Sequence, residues 1–90
     1  MDQEKEKEKV MYDIADKFIN LANEISKTDN SGGIGTALRF AAARYSAFEA
    51  STRANNLAEE KDKQLQLFAN DFTNMLEINL GDYIKLQSQN

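Results

Sequence analysis

The 90-residue sequence has no cysteine, histidine, proline or tryptophan, and only four glycines. Without cysteine or histidine there is no thiol nucleophile, no imidazole general base, and no zinc site built from those ligands. A disulfide framework is excluded as well, so the chain must fold on noncovalent contacts alone. The absence of proline leaves helix interiors free of the residue that most often breaks them. A basic footprint is also missing. Eleven Lys and Arg stand against fifteen Asp and Glu, a net charge of −4, which argues against a nucleic-acid partner. No apolar run approaches the ~20 residues needed to span a bilayer, so no membrane association is expected. The opening Met1-Asp2-Gln3-Glu4-Lys5 lacks the basic-then-apolar layout of a signal peptide. A cytoplasmic location is expected on that ground.

What remains is a soluble balance, 41% hydrophobic and 29% charged. Residues 2–9 alternate Glu and Lys. Opposite charges fall at i,i+3 (Glu4–Lys7, Glu6–Lys9) and like charges at i,i+4 (Glu4–Glu8, Lys5–Lys9), which gives mixed support for a helix. Residues 1–9 are therefore expected to be a charged, frayed lead-in, and 10–90 a single helical domain.

The spacing predicts three helices. The first runs from about Lys9 to Lys27, where Met11, Ile14, Phe18, Leu21 and Ile25 recur at intervals of three and four. It stops in Thr28-Asp29-Asn30-Ser31-Gly32-Gly33, a segment dense in turn formers. The second runs from about Thr36, a candidate N-cap, to Thr52, with Leu38, Ala41, Tyr45 and Phe48 in one stripe and Arg39, Ser46, Glu49 and Arg53 on the polar side. The third begins near Leu57, after an Asn56/Glu59 capping pattern, and reaches into the eighties. Its stripe is Leu65, Phe68, Phe72, Met75 or Leu76, Asn79, Tyr83 and Leu86, and Gly81 weakens the last turns. The expected fold is all-α, an antiparallel three-helix bundle with short loops and the third helix longest.

Two residues break the pattern. Arg44 lies on the apolar side of the second helix, beside Ala37, Phe40 and Phe48. A buried guanidinium needs a partner, and Asp16, Glu24, Asp71, Glu77, Asn79 and Asp82 are the candidates. Asn79 interrupts the third stripe where Leu is expected, a position at which Asn often sets register or partner number. The leading expectation is a buried polar network. The alternative is a small-ligand or anion sensor, with Arg44 in a polar pocket beside Tyr45, Tyr83, Asn79 and Glu24.

The loop Ser31–Thr36 is glycine-rich, yet no strand precedes it and no P-loop lysine follows, so it reads as a linker. Carboxylates alone suggest neither a di-metal centre, which would include Glu-x-x-His, nor an acid pair in a cleft. No catalytic residue, no metal and no cofactor is expected, and the chain is not expected to be an enzyme. Leu67 and Ile78 lie off the third stripe on nearly one azimuth and are the candidate interaction surface. The expected partners are a second copy of the chain, a dimer being favoured, or another protein.

Three segments together carry a resemblance: Phe18-Ile19-Asn20-Leu21-Ala22-Asn23-Glu24, Ala41-Ala42-Ala43-Arg44-Tyr45-Ser46-Ala47-Phe48, and Met75-Leu76-Glu77-Ile78-Asn79-Leu80-Gly81-Asp82-Tyr83-Ile84. In order and spacing they resemble a small bacterial family catalogued as domain of unknown function 3144, over roughly residues 12–84. The family pattern falls on Asn23, Glu24, Arg44, Tyr45, Asn79, Asp82 and Tyr83. Ser46 stands where the pattern has Asn, and Gly81 where it has an acidic residue. The resemblance implies a small cytoplasmic bacterial helical protein and carries no activity with it.

Overall fold

The structure is a computed structural model, and it describes residues 2–89. These form three helices: α1 (Asp2–Ser26), α2 (Ile34–Arg53) and α3 (Leu57–Ser88). No strand occurs among the described residues. The fold is all-α, and α3 is the longest element.

Helix α1 starts at Asp2, where the periodicity placed its start near Lys9. Asp2 and Glu4 occupy the first turn, where carboxylates meet the positive end of the helix dipole. Lys9 Nζ donates to Asp13 Oδ2 at 3.1 Å and extends this local support one turn further. The end of α1 is closed by the chain itself. Ser26 Oγ donates to the Asn23 carbonyl at 2.7 Å, and the Asp29 N–H donates to the Ile25 carbonyl at 3.0 Å.

The loop after α1 is organised by Asp29. Its Oδ2 accepts from the Ser31 N–H at 3.2 Å and from Ser31 Oγ at 2.7 Å, an Asx-type turn. Gly32 follows with φ 77°, a left-handed conformation that a side chain would strain. Ser31 Oγ accepts in turn from the Gly33 N–H, and the Gly33 carbonyl accepts from the Ala37 N–H at 2.9 Å. Gly33 therefore precedes the first residue of α2, Ile34, which lies two positions before the expected start. Thr36 lies inside the first turn, where its Oγ1 accepts from Arg39 at 3.4 Å.

Helix α3 begins as expected. Asn56 has extended backbone, and its side-chain oxygen accepts from the Glu59 N–H at 3.3 Å. Gly81 does not break it; the helix continues seven residues further to Ser88.

The described residues fall into two units, one up to Ala43 and one from Arg44 onward, with the division inside α2. In the first, Ala15 and Ala22 are the half-buried residues of α1, and Gly33 and Ile34 those at the start of α2. In the second, packing gathers around the α2–α3 turn. Ala50 is 3% exposed and is the buried residue there. Ser46, Ala54, Glu60, Gln64 and Phe68 are half-buried. The Arg53 guanidinium lies over the Phe68 ring, 5.5 Å from its centroid, a cation–π contact.

This reverses the expected orientation of the second half of α2. The covered side includes Ser46, which the spacing assigned to the polar side, and Ala50, while Tyr45 and Phe48 are exposed. The reason is steric: Ser and Ala let a neighbouring helix approach closely, and the neighbour then covers them.

Candidate interaction surface

The polar set that the sequence singles out is not buried. Asn23, Glu24, Arg44, Tyr45, Asn79, Asp82 and Tyr83 are all exposed, and no polar side chain is buried among the described residues. Glu24 pairs with Lys27 one turn along its own helix, at 3.1 Å. Asn23 contributes its carbonyl to Ser26. Asn79 Nδ2 donates to the Met75 carbonyl at 2.8 Å, so its amide turns back onto its own helix. The Tyr45 ring meets Phe48, with centroids 5.8 Å apart and planes tilted by 50°. Arg44 follows from the reversal of α2: once Ser46 and Ala50 face inward, its side of the helix faces solvent. A surface concavity runs along α1 between Gln3, Glu6, Lys7 and Val10, and none of the polar set lines it.

The apolar side chains carry the signal instead. Apart from the half-buried Ile34 and Phe68, every large hydrophobic residue among those described is exposed, from 39% at Leu57 to 67% at Tyr83. On α1 the exposed set includes the whole stripe Met11, Ile14, Phe18, Leu21 and Ile25. On α3 it includes Leu65, Phe72, Met75, Leu76, Tyr83 and Leu86. Leu67 and Ile78 are exposed too, at 55% and 65%, but they no longer stand apart from their neighbours. Sequence reasoning treated the stripes as core and the two outliers as surface. The structure leaves both uncovered.

Sequence reasoning also missed the Arg53–Phe68 contact. Its only trace in the sequence is proximity to the α2–α3 turn, which brings the end of one helix beside the first turns of the next.

These features define an all-α protein of three helices whose apolar stripes are exposed. The chain belongs to the family described as a protein of unknown function, domain of unknown function 3144, whose pattern matches residues 11–84. No match was found among curated proteins or among solved structures. Among the described residues, no helix is long and apolar enough to cross a membrane.

Proposed function

We propose that this protein is a non-enzymatic protein–protein interaction module that self-associates. One observation carries the reading: large apolar side chains stand 39–67% exposed along α1 and α3, while among the described residues Ala50 alone is buried. Ordering each residue costs roughly 1–2 kcal/mol of backbone entropy, and apolar burial is the main term that offsets it. Side chains left this exposed recover little of that cost within one chain. Contiguous exposed apolar surface marks protein interaction sites, and a second copy offers the same surface in return.

Sedimentation velocity across a concentration series tests the reading. The sedimentation coefficient is expected to rise between low and high micromolar protein. A strict monomer throughout that range would sink the self-association proposal.

A further inference from the structure

One line of exposed residues on α3 carries opposite charges at equal distances either side of one residue. Asp71, Ile78 and Lys85 are spaced by seven, so they lie along one line of the helix with a drift of only ~20° per step. Asp71 and Lys85 are each about 10 Å from Ile78 along the axis, in opposite directions. All three are exposed. The ion pairs among the described residues are Lys9–Asp13 and Glu24–Lys27, and neither includes Asp71 or Lys85. Leu67 lies one turn before Asp71 on the same line. Gly81, nearly one turn beyond Ile78, has nothing within 4 Å of where a Cβ would sit.

The geometry points to a second copy of this chain docking antiparallel on this line, with the two-fold axis at Ile78. Two copies related by that axis place Ile78 against Ile78. Asp71 of each then faces Lys85 of the other, which forms the ion pair twice. A parallel pairing would instead set Asp71 against Asp71 and Lys85 against Lys85, so the charges select the antiparallel arrangement. Leu67 adds apolar contact toward each end. This inference rests on the self-association proposed above and specifies a register for one line of α3, to one side of the stripe of Leu65, Phe72, Met75 and Tyr83.

The absence of cysteine makes the test direct, since one introduced thiol reports on its own position. Ile78→Cys is expected to form a disulfide-linked dimer under mild oxidation, at least several-fold faster than Thr73→Cys, which lies on another side of α3. Asp71→Lys and Lys85→Asp are each expected to weaken the dimer about tenfold, because two exposed attractions per dimer become repulsions. The double variant D71K/K85D is expected to restore wild-type association, and the differences are expected to shrink in 1 M salt. If the wild type stays monomeric to high micromolar concentration, both proposals fall. If it associates but Ile78→Cys links no faster than Thr73→Cys, self-association stands and this face is not the interface. Fast linkage at Ile78→Cys with no effect of charge reversal overturns the antiparallel register.

Discussion

Asn56 supplies one short-range hydrogen bond that decides where α3 begins. Its oxygen satisfies the Glu59 N–H, one of the donors that the first turn leaves unpaired. Asn56→Ala is expected to cost about 1 kcal/mol, read as a lower urea midpoint at fixed protein concentration. Arg44 calls for the opposite expectation. On an exposed face its contacts are surface contacts, worth little, so Arg44→Ala is expected to change stability by no more than about 0.5 kcal/mol. A loss of several kcal/mol in thermal melts would mean that the guanidinium is desolvated in the working state of the protein. Gly81 sits in a helix interior with open space where its Cβ would be. Gly81→Ala is therefore expected to stabilise α3 by about 1 kcal/mol in chemical denaturation, through reduced unfolded-chain entropy. A lower midpoint would show that another surface approaches closely at that position.

At the scale of elements, α2 is the informative helix. Alanine and aromatic residues alternate around it, so hydrophobic periodicity alone does not say which side is covered. The structure covers the small side at Ser46 and Ala50 and leaves Tyr45 and Phe48 outside. Ala50→Leu should therefore be costly although both residues are apolar. Forcing a larger side chain into the close contact is expected to cost about 1–3 kcal/mol, seen as a lower melting temperature with helical circular dichroism retained. Ala43→Leu, at an exposed position of the same helix, is the comparison, and it is expected to be near neutral. The early start of α1 has a simpler cause. Carboxylates at the positive end of the helix and the Lys9–Asp13 pair outweigh the like-charged i,i+4 pairs.

For the molecule as a whole, the exposed stripes of α1 and α3 dominate. A chain that completes its apolar burial only with another copy has a stability that depends on concentration. The melting temperature is expected to rise with protein concentration across two decades, from low micromolar upward. A midpoint independent of concentration would argue that a single chain reaches its full stability alone. The polar residues that first drew attention, Arg44 and Asn79 above all, then decorate the surface. Asn79 in particular satisfies its amide within its own helix.

The existence of the three helices, their approximate bounds apart from the start of α1, the Asn56 cap and the turn-rich segment after α1 are legible in the sequence, because each rests on local hydrogen bonding and spacing within a few residues. The family membership is legible too, since it rests on segments read along the chain. The candidate site was legible only as a set of unusual residues; that they are exposed was not. Exposure depends on which face of one helix meets another, and that is settled by close approach between residues distant in sequence. So the covered side of α2 at Ser46 and Ala50, the Arg53–Phe68 contact and the exposure of the stripes of α1 and α3 belong to the tertiary structure. Cysteine, histidine and proline are absent from the sequence, and that absence narrows the chemistry; packing decided which of the remaining side chains are covered and which are exposed.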